Sequence, residues 1–197
     1  RLMKRGCRVR FVHFHSYPIL SHASQDKVRE LVEHLTKYQL ISHLYFVAFG
    51  ELQRQIVMSV PSPLRIVLYR RLMMRISERL AREVGAKALV TGESVGQVAS
   101  QTLENLAVIS NVVSELPMLR PLIGSDKEEI TAEAIAIGTY PISIIPDQDC
   151  CQLFTPRLPA TKARLRAVEM AERNLPIDQL INAAVENVEH EDFTFPT

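Results

Sequence analysis

The fold is decided near the amino terminus, where residues 7–48 read CRVRFVHFHSYPILSHASQDKVRELVEHLTKYQLISHLYFVA. Residues 7–14 are rich in Val and Phe that alternate with Arg, which predicts a strand followed by a polar turn. Between Ser24 and Tyr38 the apolar residues recur at intervals of three and four, which predicts a helix with Ser24 as its N-cap. Residues 42–48 predict a second strand. A strand, a helix and a strand in this order are typical of a parallel βαβ unit.

The same alternation continues along the rest of the chain. Helices are predicted over residues 63–84, 97–109 and from Asp126 to about Ile137, a strand over 87–91, a short extended segment from Pro141 to Pro146, and two charged helices at the end. The sequence therefore predicts an α/β fold, a parallel sheet flanked by helices. In such sheets ligands bind at the carboxyl ends of the strands, so the residues expected there are the first candidates for a site.

The composition is that of an ordinary globular domain. The 197 residues are 47% hydrophobic and 23% charged, with a formal net charge of +1. No run approaches the roughly 18 apolar residues of a membrane helix and no secretory signal is visible, so we expect a cytosolic protein without membrane contact. The low net charge argues against a domain that holds nucleic acid by itself. The chain has only seven glycines, fewer than its 11 prolines, which argues against a glycine-rich phosphate loop in this sequence.

Four residues near the predicted strand ends could contact a nucleotide. His13 and Phe14 could flank a base, although His13 could equally be satisfied by the backbone. Gly92 permits a close approach, and a simple turn glycine is the alternative. Gln101 could bind a base edge or a ribose through its amide. The histidine spacing matches no structural zinc site, so no metal site is predicted.

Arg70 is distinguished from the other cations of the long predicted helix by its position. It lies on an otherwise uncharged stripe, where its guanidinium either reaches water or meets an anion in a cleft. The neighbouring stripe is predicted to be an ordinary solvated face with interleaved acids. That stripe consists of Arg71, Arg75, Arg79 and Arg82.

Lys127 is the second cation of interest. Ser125 and Glu128 form a capping-box pattern, which makes Asp126 and Lys127 the first two residues of the next helix. Asp126 suits the positive end of a helix, whereas Lys127 opposes it. The lysine is therefore either tolerated in solvent or placed for a phosphate that the same helix end attracts.

The three cysteines cannot form a disulfide framework, because their number is odd and two of them are adjacent. Cys7 is predicted to be a small buried residue of the first strand. Cys150 and Cys151 lie between prolines in PDQDCCQLFTP, a loop position that favours reactive thiols. Nearby carboxylates would raise the pKa of such thiols unless a base offsets them.

Five segments together resemble the catalytic domain of the tRNA 4-thiouridine synthases, which are PP-loop ATP pyrophosphatases that also serve thiamine thiazole synthesis. The resemblance covers nearly the whole chain in order. The segments are FVHFHSYP (11–18), RRLMMRISERLA (70–81), TGESVGQVASQTLENL (91–106), LRPLIGSDKEEI (119–130) and IPDQDCCQLFTPRLPATKA (145–163).

The resemblance implies a reaction and a role for each candidate residue. ATP and Mg²⁺ would adenylate the 4-oxygen of uridine 8 of tRNA, and a cysteine persulfide would then supply sulfur as AMP leaves. By motif, an adenosine pocket would include His13 and Phe14, and further nucleotide contacts would come from Arg70, Gly92 and Gln101. Asp126 and Lys127 would meet the phosphates. Cys150 and Cys151 would handle the sulfur, with the division of roles undecided.

The resemblance also implies partners and boundaries. The partners would be tRNA, a cysteine desulfurase as sulfur donor and the thiamine sulfur-carrier protein, and a homodimer is left open. Residues 1–172 would form the catalytic domain and 173–197 a helical tail. The Ser-Gly-Gly-Ile-Asp-Ser pyrophosphate loop and its strand are expected ahead of Arg1. Two other hypotheses are a non-catalytic adenine-nucleotide-binding module and another PP-loop ATP-dependent ligase.

Overall fold

A computed structural model describes residues 1–147 and 154–196. The strands are β1 (Phe11–His15), β2 (Ile41–Ala48), β3 (Leu89–Val90), β4 (Met118–Leu119) and β5 (Glu189–Thr194). The helices are α1 (Ala23–Thr36), α2 (Gly50–Ser59), α3 (Arg65–Glu83), α4 (Leu103–Ser110), α5 (Lys127–Ala136), α6 (Tyr140–Ser143), α7 (Leu165–Glu172) and α8 (Ile177–Glu186). No helix in these two ranges has the length and apolar character needed to cross a membrane.

The chain divides into two compact units, which are described separately. The first contains residues 1–50, 126–150 and 187–197, and the second contains 51–125 and 151–186. Each unit has a pair of parallel strands, β1 with β2 in the first and β3 with β4 in the second. The predicted α/β class, with parallel strands and flanking helices, is confirmed.

The core of the first unit lies between α1 and one face of its sheet. Val32 of α1 packs with Leu44 and Phe46 of β2, and partly buried residues surround them. Because side chains alternate between the faces of a strand, Leu44 and Phe46 point toward α1 while Tyr45 points away. The strand predicted over residues 42–48 is thus present as β2.

Strand β5 was not predicted. It pairs antiparallel with β2, and Arg29 of α1 binds its Glu191 at 2.8 Å. The sequence EHEDFT carries no apolar period, since only Phe193 packs against the core. A polar edge strand of this kind is stabilised by pairing and by ion pairs, which sequence patterns do not reveal. The predicted helical tail is helical only as far as Glu186.

Three smaller expectations are wrong. Residues 140–143 form α6 instead of an extended segment, since Pro141 occupies the first turn, where a missing N–H is tolerated. Cys7 lies before β1 and is exposed. Ser24 is not the N-cap of α1, because the helix already begins at Ala23. Helix α2 was not predicted at all.

The second unit is built around α3, and here the predicted solvated stripe is wrong for Arg71 and Arg75, whereas Arg79 and Arg82 are exposed as predicted. Arg71 is 2% exposed, its guanidinium binds Glu172 of α7 at 2.7 and 2.9 Å, and it also donates to the Val108 carbonyl at 2.6 Å. Arg75 binds the same carboxylate at 2.7 and 3.0 Å. Glu78 is also buried and accepts N–H groups from residues 114–116. The part of this face that contains Arg71, Arg75 and Glu78 therefore packs against other elements.

The Glu172 carboxylate should make stability fall in acid. Burial alone would raise its pKa, but hydrogen bonds from Arg71 and Arg75 outweigh burial and lower the pKa from 4.5 to about 2. Because the pKa is lower in the folded state, the ionised Glu172 carboxylate stabilises the fold fully above about pH 4.5. This stabilisation is lost as the pH falls toward 2. The difference corresponds to about 3 kcal/mol.

The measurement is the free energy of unfolding of the intact protein and of its Glu172→Gln variant at a series of pH values. We expect the gap between the two proteins to be widest near neutral pH and to narrow as the pH falls below 4.5. A gap that stays constant through this range would contradict the assignment.

Candidate functional site

His13 and Phe14 lie at the carboxyl end of β1, as the sequence predicted, but their side chains point to opposite faces. The His13 Nε2 lies 3.3 Å from the Ser24 hydroxyl of α1, and its ring meets Phe46 edge-on. The Phe14 ring packs on the other face against Phe49, with centroids 5.5 Å apart. A single base can therefore touch both residues only around the edge of β1 that does not pair with β2.

The turn after β1 is tightly packed, which the sequence analysis missed. The Phe49 N–H donates to the His15 carbonyl at 2.7 Å. A Cβ atom on Gly50 would lie 2.9 Å from the Ile19 side chain and 3.3 Å from the Ser16 carbonyl, so only glycine fits without a shift. Burial lowers the pKa of His15, which favours a neutral ring there. The backbone beyond β1 is thus held in one place.

Asp126 is the N-cap of α5, and Lys127 is its first helical residue. The Asp126 carboxylate accepts the Glu129 N–H at 2.8 Å, and the Glu129 carboxylate accepts the Asp126 N–H at 2.9 Å. The capping box predicted for Ser125 and Glu128 is therefore displaced by one residue. The reason is that Asp126 has the extended backbone of a cap and a carboxylate that caps as well as a hydroxyl does.

Lys127 is exposed at the amino end of α5. Within residues 1–147 and 154–196 its ammonium group forms no ion pair. Three carboxylates surround it in sequence, and those of Asp126 and Glu129 are already held in the capping box. Lys127 therefore remains available for a ligand, although the acidic residues next to it make the local charge negative.

In the second unit, Arg70 belongs to a polar cluster centred on Glu93. Glu93 is 2% exposed, and its two carboxylate oxygens are shared between two guanidinium groups. Arg70 binds one oxygen, while the Arg120 Nε donates to the other at 2.5 Å. The Thr91 hydroxyl also donates to that second oxygen at 2.9 Å. Two cations and one anion leave the cluster with a net positive charge.

The strand register explains why these residues meet. Leu89 lies opposite Met118 and Val90 opposite Leu119, so the loops that follow β3 and β4 leave the same edge of the sheet. The Thr91 N–H continues this pairing to the Leu119 carbonyl at 3.1 Å. The sequence left open whether the Arg70 guanidinium reaches water or meets an anion. The structure supports an anion partner, which is the Glu93 carboxylate. Sequence reasoning placed Glu93 near a strand end but gave it no role, and it missed Arg120, which directly follows β4.

Arg70 also links the segments that contain Gly92 and Gln101. Besides Glu93, it contacts the Ser100 hydroxyl at 3.5 Å. Around Gly92 there is open space, since a Cβ there would meet only a Leu122 methyl group at 4.0 Å. The structure thus brings Arg70, Gly92 and Gln101 into one region of the second unit.

Gln101 has an unfilled acceptor. Its backbone is fixed by bonds to Val98 and Gly96 at 2.8 and 2.9 Å. Its side-chain Oε1 is buried, yet no donor reaches it among the residues that the structure describes. A buried acceptor without a donor costs about 1–3 kcal/mol, so a ligand N–H or O–H at this point would be stabilising.

The other predicted site residues belong to the first unit or lie outside the described residues. His13, Phe14, Asp126 and Lys127 belong to the first unit. Cys150 and Cys151 lie outside the described residues. In the described ranges no group of three or more His, Cys, Asp or Glu side chains could hold a metal ion. The roles assigned to individual residues therefore stay predictions.

An α/β fold with a cationic cluster at the carboxyl ends of parallel strands is typical of nucleotide-binding proteins. Residues 1–177 match the family described as thiamine biosynthesis protein (ThiI), and the chain belongs to that family. This agrees with the resemblance seen in the sequence.

Relatives and a solved structure support the same assignment. The chain is 52% identical over 196 residues to a probable tRNA sulfurtransferase of Thermus thermophilus, covering 100% of this chain and 48% of the relative. It is 46% identical to one of Acetivibrio thermocellus, covering 95% and 48%. The chain thus spans about half the length of these relatives. A crystal structure of a 4-thiouridine synthetase–RNA complex with bound ATP superposes with a TM-score of 0.89 at 39% identity, over 96% of this chain and 50% of that one.

Proposed function

We propose that the protein to which this chain belongs is an ATP-dependent tRNA sulfurtransferase that forms 4-thiouridine. The observation that carries the proposal is the likeness to a 4-thiouridine synthetase that was solved with RNA and ATP. The local geometry supports it, because a net positive cluster and a buried unfilled acceptor lie together beside Gly92. The chain would supply the nucleotide-binding and catalytic part of the whole protein.

In the first step, the 4-oxygen of the uridine attacks the α-phosphorus of ATP, and the N3 proton of the uridine is released to water. A C4–O–P bond forms and pyrophosphate leaves. The excess positive charge of Arg70 and Arg120 over Glu93 would offset negative charge on the nucleotide, and the Gln101 Oε1 would accept a hydrogen bond from base or ribose. The open space at Gly92 would let the nucleotide approach the backbone.

Magnesium would enter with the ATP phosphates. Mg²⁺ is usually held by one or two carboxylates together with phosphate oxygens and water. Asp126 is the carboxylate among the predicted site residues, and one of its oxygens already accepts the Glu129 N–H. Since Lys127 is flanked by acidic residues, a divalent cation would offset the charge that otherwise opposes a phosphate at this helix end.

In the second step, a persulfide on Cys150 or Cys151 attacks C4 of the adenylated uridine. The C4–O bond breaks, and AMP leaves with the former uridine oxygen. Attack of another thiol on the cysteine sulfur releases 4-thiouridine and leaves a disulfide, which an external thiol reduces. A cysteine desulfurase would regenerate the persulfide. The same persulfide would pass sulfur to the thiamine sulfur-carrier protein.

Gln101 gives a direct test of the nucleotide site. In the intact protein, Gln101→Ala should weaken AMP and ATP binding by about tenfold. The reason is that one hydrogen bond between uncharged groups of the protein and the ligand is lost. Isothermal titration would measure the affinity. Gln179→Ala, on an exposed face of α8, is the matched control and should bind as the wild type does.

The same preparations separate the competing functions. The proposal expects tRNA-dependent release of pyrophosphate and AMP. Nucleotide binding without turnover in the presence of tRNA and a sulfur donor would favour the non-catalytic module. Turnover that yields a modified base without sulfur would favour another PP-loop ligase. An unchanged affinity of Gln101→Ala for AMP and ATP would show that Gln101 does not bind the nucleotide.

A further inference from the structure

Residues 1–10 carry positive charge out of proportion to the rest of the chain. They contain five of its 23 lysines and arginines and none of its 22 acidic residues. The five are Arg1, Lys4, Arg5, Arg8 and Arg10. Since the net charge of the whole chain is only +1, these cations are segregated instead of being spread evenly.

The backbone of this segment is ordered by specific hydrogen bonds. Residues Met3–Arg5 form a turn of 3₁₀ helix, which Gly6 closes in the left-handed conformation at φ +81°. Further along, the side-chain amide of Gln39 accepts the Val9 N–H at 2.9 Å and donates to the Val9 carbonyl at 2.8 Å. The backbone that carries the cations on both sides of Gly6 is therefore held in a defined conformation.

Two of the five cations have partners within the chain. Arg1 pairs with Glu133 at 2.8 Å, and Arg10 donates to the Tyr45 hydroxyl at 2.8 Å. Lys4, Arg5 and Arg8 are exposed, and no acceptor in the described part of the chain binds their side chains. Cations that are neighbours in sequence and have no acidic residue among them repel one another, so they do not stabilise the fold. A polyanionic partner would account for it.

We propose that Lys4, Arg5 and Arg8 form a contact surface for the phosphate backbone of the RNA substrate. This inference rests on the proposed function. The three residues precede the amino end of β1, whereas His13 and Phe14 lie at its carboxyl end. At about 3.3 Å per extended residue, Arg8 is about 17 Å along the chain from His13. The surface would therefore position RNA at a distance from the predicted nucleotide contacts.

The chemistry of the surface favours phosphates over a protein partner. Stable protein interfaces have an apolar core, commonly with aromatic anchors. The residues between Arg5 and Arg8 are Gly6 and Cys7, and neither supplies such an anchor. Lysine and arginine contacts to phosphate oxygens fix the position of a nucleic acid without reading its sequence.

The test compares tRNA binding by the intact wild-type protein and by a variant with Lys4→Gln, Arg5→Gln and Arg8→Gln. We expect the variant to bind tRNA about tenfold or more weakly at moderate salt, with a slope of log affinity against log salt that is smaller by about two. The KM for ATP and the kcat at saturating tRNA should stay unchanged. The control combines Lys37→Gln, Lys87→Gln and Arg173→Gln, three scattered exposed cations, and should retain wild-type affinity and slope.

The outcomes are distinct. Wild-type affinity and salt slope in the triple variant would overturn the inference while leaving the proposed function in place. Normal tRNA binding with slower sulfur delivery from the desulfurase would also overturn it, since the surface would then bind a protein. Equal weakening in the control would show a general charge effect and would overturn the assignment of a local surface. Failure of the wild type to bind tRNA would overturn the proposed function itself.

Discussion

Replacement of Lys127 by methionine is expected to lower the rate of 4-thiouridine formation by about 10²- to 10³-fold. Lys127 is the first residue of α5, where backbone N–H groups and the positive helix end favour an anion. Its ammonium forms no ion pair in the described ranges. Removing this charge would leave Asp126, Glu128 and Glu129 facing the phosphates, so the electrostatic contribution would be lost and partly reversed.

The measurement is single-turnover formation of 4-thiouridine by the intact protein with ATP, tRNA and a sulfur donor. Lys127→Arg should recover part of the rate, because it keeps the charge. Lys87→Met, at an exposed position of the second unit, is the matched control. If the rate of Lys127→Met lies within about threefold of the wild-type rate, Lys127 does not contact the phosphates during the reaction. Loss of such a contact would lower the rate by more than this.

Replacement of Glu172 by glutamine is expected to lower the free energy of unfolding by about 3–5 kcal/mol at neutral pH. The carboxylate accepts four short hydrogen bonds from Arg71 and Arg75, at 2.7–3.0 Å. A neutral amide accepts through one oxygen only and presents N–H groups to the guanidinium groups. Breaking a buried ion pair from one side is costly because the remaining charge stays buried without compensation.

Hydrogen exchange in peptides that cover α3 and α7 would measure this effect locally in the intact protein. Protection should fall in Glu172→Gln and remain unchanged in Glu169→Gln, which alters an exposed residue of the same helix. Wild-type protection in both variants would mean that packing by apolar residues such as Val67 and Val168 is sufficient to hold these helices together.

The order β1, α1, β2 could be predicted because Val and Phe alternate with Arg around β1, the apolar residues of α1 follow the helix period, and β2 is a short apolar run. The elements that were missed lack this signal. Strand β5 is a polar edge, and α6 is a single turn that contains a proline. The capping box was displaced by one residue because Ser125 and Asp126 both have side chains that can cap a helix, and the choice depends on the backbone.

The polar partners could not be predicted, because they are distant in sequence. Arg71 was placed on a solvated stripe, yet its partner Glu172 lies 101 residues away. Likewise, Glu93 joins Arg70 to Arg120 only because β3 and β4 end at the same edge. The roles of His13, Phe14 and Gly92 came from the resemblance to a family. The structure adds Glu93, which binds Arg70, and Arg120, which binds the other oxygen of the Glu93 carboxylate.

We propose that this chain helps to activate a tRNA carbonyl oxygen by adenylation before sulfur replaces it. The most direct test supplies the intact protein with ATP, a sulfur donor and tRNA whose target uridine carries ¹⁸O at the 4-position. We expect 4-thiouridine and AMP to form in equal amounts and the AMP to carry the ¹⁸O label. Formation of 4-thiouridine with unlabelled AMP, or AMP formation without any thiolated tRNA, would contradict it.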